Sequence, residues 1–220
     1  MKNLEASFRA LRVLHTAKDL FNQYGFHKVG VDRIIADSQI NKGTFYNYFR
    51  SKERLIQMSL TFQTDALKEE VFSTIYSYSE LMVFDKLKKI FFLHADSEGF
   101  YYLPFKAIFE IEKHYPSAYK VVVDYRNWLI QEIHKLLLTV KPAATVEDAH
   151  MFLFVVDGAM VQLLGSNQTD EREYLIDYFL SRVWGGRPDE SWAFFKVKWY
   201  LFYANVNDMV CIIFSNFYQK

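Results

Sequence analysis

Apolar residues recur at three- and four-residue steps along most of this chain. Phe8, Leu11, Leu14, Ala17, Leu20/Phe21 and Tyr24 keep that spacing, which predicts an amphipathic helix over 8–24. Gly25 is suited to end it as a left-handed C′ residue, with Phe26 available for the hydrophobic contact that follows such a cap. A short second helix is expected over 32–37, with Val31, Ile34 and Ile35 turned inward. Asn41 suits the N-cap of a third helix running through Phe49, and Ser51 that of a fourth beginning at Lys52. Further on, the pattern predicts helices near 52–76, 80–97, 104–114, 117–140, 146–165 and 171–184. Pro104 and Pro116 fit first turns, where no amide donor is needed. Thr145 to Asp148 has the form of a capping box with Asp replacing Glu, and Asp170 is a plausible cap for the helix after it.

The expected fold class is therefore all-α. A three-helix helix-turn-helix head (1–55) is expected to be fused to an α-helical body (56–186), which the family resemblance described below implies is a ligand-binding and dimerisation body. No low-complexity linker separates the two, so the fourth helix is expected to belong to both. Gly185-Gly186-Arg187-Pro188 ends the regular pattern and opens an aromatic-rich extension, 187–220. That extension reads equally as two strands about a turn at Asn205–Asp208 or as a further helix.

On a helical wheel of the third helix, Phe45, Tyr48 and Phe49 lie on one side and should pack on the head's core. Gly43, Thr44, Tyr46 and Asn47 lie on the other. A helix presented this way fits a major groove about 12 Å wide. Gly43 lets the backbone approach a duplex closely. Thr44 and Asn47 can reach base edges, and Lys42 can reach a guanine edge or a phosphate. Tyr46, Tyr48 and Lys52 are suited to phosphates, which position a reader without specifying sequence.

Charge sharpens this picture. The chain is neutral overall, but residues 1–60 hold ten basic and five acidic side chains, a net +5, which leaves −5 on the remainder. A basic head that meets an anion explains the asymmetry, and on charge alone so does chance clustering on a solvated face. One cysteine, Cys211, excludes an intrachain disulfide framework and suits a cytoplasmic protein. Glu5, Arg9 and Arg12 interrupt the N-terminal stretch, so no secretion signal is expected there, and without an eighteen-residue apolar run no membrane span is expected.

The run Asn41-Lys-Gly-Thr-Phe-Tyr-Asn-Tyr-Phe-Arg-Ser-Lys-Glu53 resembles the signature of the TetR family of regulators, and Leu14, Ala17, Leu20-Phe21 and Gly25 match that family's first-helix pattern. The resemblance is dense over 12–56. It implies a homodimeric regulator, usually a repressor of a palindromic operator released by a small molecule. It also implies DNA contacts at Lys42, Gly43, Thr44, Tyr46, Tyr48 and Lys52. Two departures stand out. Val29 and Gly30 replace the family's common Thr pair before the second helix, removing an N-cap hydroxyl that Asp32 can offset through the helix dipole. Gln39 stands in the turn where glycine is usual, so a positive φ there carries a modest strain.

The resemblance weakens after residue 60. Helices 146–165 and 171–184 sit where the family's dimer bundle forms, and Val146, Ala149, Phe152/Leu153, Val156, Ala159/Met160 and Leu163/Leu164 give the first of them a wide apolar face. An ordinary buried core helix has the same pattern. For a ligand, Phe91, Phe100, Tyr102, Phe105 and Phe109 are aromatic enough to line a pocket for an apolar or aromatic effector, although aromatic stripes more often fill cores. The histidines lack the spacing of a metal site, no cofactor motif is present, and no nucleophile or paired-carboxylate constellation suggests an enzyme. A second reading keeps the DNA-binding head but has a protein partner regulate it through the aromatic tail.

Overall fold

The structure, a computed structural model, describes residues 2–77, 80–165 and 170–184, and no strand occurs among them. The predicted tail lies outside these residues. In chain order the helices are α1 (Lys2–Tyr24), α2 (Val31–Asp37), α3 (Lys42–Phe49), α4 (Lys52–Phe72), a π-turn (Ser73–Ser77), α5 (Val83–His94), α6 (Tyr102–Glu110), α7 (Pro116–Leu138), α8 (Val146–Gly165) and α9 (Asp170–Trp184). Head and body fall in one unit ending at Asp177. In the last turns of α9, Ser181 Oγ donates to the Tyr178 carbonyl at 2.8 Å.

The element ends follow local chemistry. Gly25 adopts φ +82°, its amide bonds the Phe21 carbonyl at 2.9 Å, and Phe26 stacks on Phe21 at 5.0 Å. That is the left-handed cap the sequence predicts. The predicted fourth helix gives way to the wider π-turn over its last residues, where Lys86 Nζ takes the Ile75 carbonyl at 2.6 Å. α5 stops three residues short of its predicted end. There Asp96 turns the chain, its carboxylate accepting the Glu98 amide at 2.9 Å and its carbonyl the Gly99 amide at 3.2 Å. α6 starts and ends earlier than expected, and Pro104 sits third in it, still among the amides that need no partner. α7 opens on Pro116, and Asp148 accepts the Thr145 amide at 3.0 Å, the returning half of the expected capping box.

One hydrophobic core runs through both parts. Val13, Ala17, Phe21, Phe26, Ile34, Phe45, Phe49 and Leu55 from the head cluster with Leu103, Ala107 and Ile111 of the α6 region and with Ala118 and Val122 of α7. At this seam Lys106 Nζ donates to the carbonyls of Phe21 and Asn22, at 3.0 and 2.8 Å, and Glu110 accepts the Phe26 amide at 2.8 Å. A cation on terminal carbonyls also complements the helix dipole of α1.

The body holds a buried polar layer. His94 Nδ1 lies 2.7 Å from the Ile90 carbonyl, which can only accept, so that nitrogen carries the proton. Nε2 is then free to accept from the Tyr125 hydroxyl at 2.6 Å. Beside it, Arg126 grips Asp157 across α7 and α8 with two bonds of 2.9 and 2.6 Å and donates to the Tyr101 hydroxyl. This bidentate pair fixes which side of α8 faces inward.

Two outcomes test these features. A Cβ on Gly25 would lie 3.0 Å from Glu110 Oε2 in a left-handed backbone, so Gly25→Ala should destabilise the chain by about 1–2 kcal/mol. Urea denaturation should show a lower midpoint with an unchanged slope, and an unchanged midpoint would refute the cap. Burial lowers the His94 pKa to about 4, against 6.5 for an exposed histidine. As pH falls from 6.5 towards 4, the unfolded chain takes up a proton that the folded chain refuses. Stability should fall by about 3 kcal/mol across that window and level off below it. A denaturation series for His94→Gln should lack this component, and parallel curves for both proteins would overturn it.

Candidate nucleic-acid interface

The head presents α3 by local means. Gly30 is the N-cap of α2, its missing side chain leaves the helix without a side-chain cap, and Asp32 stands in the first turn. At its other end Ser38 Oγ donates to the Ile34 carbonyl at 2.6 Å. The Gln39 amide then bonds Ala36 at 3.1 Å and the Ile40 amide bonds Ile35 at 3.3 Å, the paired bonds of a Schellman cap. Gln39 takes the left-handed position at φ +53°, as its place in the turn implies. Asn41 Oδ1 then caps α3 by accepting the Thr44 amide at 2.7 Å.

α3 ends at a second left-handed residue that sequence reasoning missed. Arg50 has φ +61°, and its amide bonds the Tyr46 carbonyl at 3.1 Å. Ser51 immediately caps α4 by accepting the Arg54 amide at 3.1 Å. The reversal between α3 and α4 thus needs only two residues.

The two faces of α3 divide as the wheel indicates. Phe45 and Phe49 are fully buried, with ring centroids 5.4 Å apart, and Tyr48 is half-buried against the same core. Lys42, Gly43, Tyr46 and Asn47 are exposed, and Thr44 is half-buried. Six of the seven candidate contacts therefore share one short helix. Lys42 pairs with Asp32 at 3.2 Å, but both side chains are well exposed, so water screens the pair and a phosphate can replace the carboxylate. Lys52 lies at the start of α4, its ammonium 3.5 Å from the His27 carbonyl and 5.6 Å from the centre of the Tyr115 ring. It is anchored to the seam between head and body rather than projecting freely.

Two further cations stand beside this helix. Arg9 and Arg12 of α1 line an open polar depression of about 350 Å³ with Gln39, Ile40, Asn41 and Thr44. No spacing pattern pointed to them, because they lie some thirty residues before α3 in the chain.

The five aromatics expected around a ligand are dispersed. Phe91 and Phe105 are each 1% exposed within the core, while Phe100 and Phe109 reach the surface at 41% and 60%. Tyr102 is half-buried beside Lys106. Phe105 and Phe109 meet edge to face at 5.3 Å. A body cavity of about 190 Å³ lies between α6, α7 and α8, lined by Ile108, Tyr119, Val122, Arg126, Ile130 and Leu153 among others, and by none of those five. Among the described residues no group of three or more His, Cys, Asp or Glu side chains is placed to hold a metal.

A three-helix head that packs one face of α3 into its core and turns the polar face outward defines a helix-turn-helix protein. Residues 13–57 match the family described as bacterial regulatory proteins, tetR family. The head of this chain is thus similar to the DNA-binding heads of that family. It is 40% identical over 53 residues to the HTH-type transcriptional regulator UidR of Escherichia coli (strain K12), and equally so to the uncharacterized HTH-type transcriptional regulator YuxN of Bacillus subtilis (strain 168). Those stretches are 24% of this chain, 27% of UidR and 18% of YuxN, so the likeness spans about a quarter or less of these relatives. The fold extends further. The reduced form of NemR from E. coli superposes with a TM-score of 0.68 at 18% identity, over 77% of this chain and 94% of that one. A TetR transcriptional regulator from Legionella pneumophila gives 0.66 at 19%, over 76% and 95%. At such identities these structures establish the fold of the body and nothing of its ligand.

Proposed function

We propose that this chain is a DNA-binding transcriptional regulator that grips a palindromic operator as a homodimer and represses until a small apolar or aromatic ligand releases it. The observation that carries the reading is the outer face of α3, where Lys42, Gly43, Thr44, Tyr46 and Asn47 stand together over a core that fixes the helix. Thr44 and Asn47 read base edges, whereas Lys42, Tyr46, Tyr48 and Lys52 hold phosphates. The protein works in the cytoplasm, where its operator lies. Repression is carried over from the family resemblance.

For the dimer, support comes from α8. With Asp157 held inward by Arg126, Met151 and Phe154 turn outward at 48% and 63% exposure, and Gly158 continues that face, with nothing within 4 Å of where a Cβ would stand. α8 is long and apolar enough to cross a membrane by composition, but its inner face is packed core, so a protein surface is the better partner for the outer one. For the ligand, support comes from the body cavity of about 190 Å³. It is open to solvent on one side, and Arg126, Asn127 and His150 join its apolar lining, so a small compound with a polar group is the better match.

Selection of bound sequences from random duplex DNA tests the reading, and failure to enrich any sequence would sink it. With a selected duplex in hand, Lys52→Ala should weaken binding to every sequence and flatten the salt dependence by about one unit of slope. Thr44→Ala should instead change which sequence is preferred. Equal losses on all sites for both variants would overturn this division of roles. For the dimer, Phe154→Glu should convert it to monomer by light scattering and cost about 100-fold or more in duplex affinity, as the second half-site is lost. A Phe154→Glu chain that remained dimeric would place the interface elsewhere.

A further inference from the structure

The depression beside α3 has an owner on each side. Arg9 and Arg12 lie three residues apart on α1, hence on one helix face, and both are exposed. Opposite them stand Gln39, Ile40, Asn41 and Thr44, the entry turn and first turn of α3. Arg12 Nη2 donates to the Gln39 carbonyl at 3.4 Å, which uses one of the five donors of its guanidinium and directs that group at the left-handed turn. The positive end of the α3 dipole lies at the same place. Two guanidinium groups, a hydroxyl and a helix start, with open access, form a site for a tetrahedral anion.

We propose that this depression seats a backbone phosphate of the duplex, so that α1 binds DNA alongside α3. The inference rests on the reading of the chain as a DNA-binding protein and adds to it a second contact surface. A phosphate held here is gripped by the residue that also grips Gln39, so the contact sets the tilt with which α3 enters the groove. It also gives Thr44 a second neighbour. Its side chain lies between the base edges that the outer face of α3 meets and the arginine depression.

The test uses the full-length chain and a duplex that the wild type selects from a random pool. Arg9→Gln and Arg12→Gln should each lower affinity on every sequence alike and flatten the plot of log affinity against log salt by about 0.9 for each phosphate no longer held. The preferred sequence should not change. Arg12→Lys, which keeps the charge without the planar fork, should retain the salt slope. Both arginines are exposed, so the variants should stay folded, and thermal melting reads any loss of the Arg12–Gln39 bond separately from the loss of DNA affinity. An unchanged slope in Arg9→Gln/Arg12→Gln, with wild-type binding intact, would overturn the inference and leave the DNA-binding reading standing. Should the wild-type chain bind no duplex, that reading fails and the seating of a DNA phosphate fails with it. Inorganic phosphate supplies the remaining arm. If millimolar phosphate stabilises wild type but not the double variant, and the duplex slopes are equal, the depression takes a free anion and not DNA.

Discussion

The last turn of α1 is held from outside the head. Lys106 donates to two carbonyls at its end, and Glu110, one turn further along α6, takes the first amide beyond the Gly25 cap. Both are bonds to a charged group, roughly twice as strong as neutral ones, and they join elements more than eighty residues apart in sequence. Within the head α2 and α4 pack against α1, and α3 packs on α2 and α4. The orientation of α3 is therefore referred to α6, and through the shared core to α7, rather than to a flexible linker. This is why head and body are one packed unit despite their opposite net charges.

A second constraint follows the first along α7. Arg126 reaches Asp157 with both of its terminal nitrogens, and its neighbour Tyr125 closes the hydrogen-bond pair with His94. These groups are costly to bury unless partnered, and each of them is partnered. The layer sets the rotation of α8, leaving Met151 and Phe154 outward. It also places Arg126 at the wall of the body cavity. Polar pairing thus decides which apolar surface stays available, something hydrophobicity alone leaves open.

Much of the head was legible because its signals are local. Gly25, Asn41 and Ser51 each act on amides or carbonyls within four residues, so their roles can be read from spacing. The two faces of α3 follow from a wheel of eight residues. Arg9 and Arg12 were not legible as part of the site, because only the packing of α1 on the entry turn brings them to Gln39. Arg50 was missed for a different reason: a left-handed arginine has no sequence signature, whereas a left-handed glycine does. In the body, periodicity ranked Phe91, Phe100, Phe105 and Phe109 alike, yet two are core and two are surface. Helical spacing reports that a face is apolar, not what covers it. The pairing of Arg126 with Asp157 spans 31 positions and two helices, and nothing local announces it.

The two left-handed residues that bracket α3 have a thermodynamic consequence. Gln39 and Arg50 hold conformations that cost side-chain-bearing residues about 1–2 kcal/mol each, and neither is relieved by glycine. Glycine would remove the strain and also widen the range of backbone angles at both ends of the helix. As built, the ordering entropy of α3 is lost once, when the chain folds, and is not lost again when the helix meets its target. A surface prepared in this way associates without a large conformational penalty. The strain at its two ends is the folded state's share of that preorganisation.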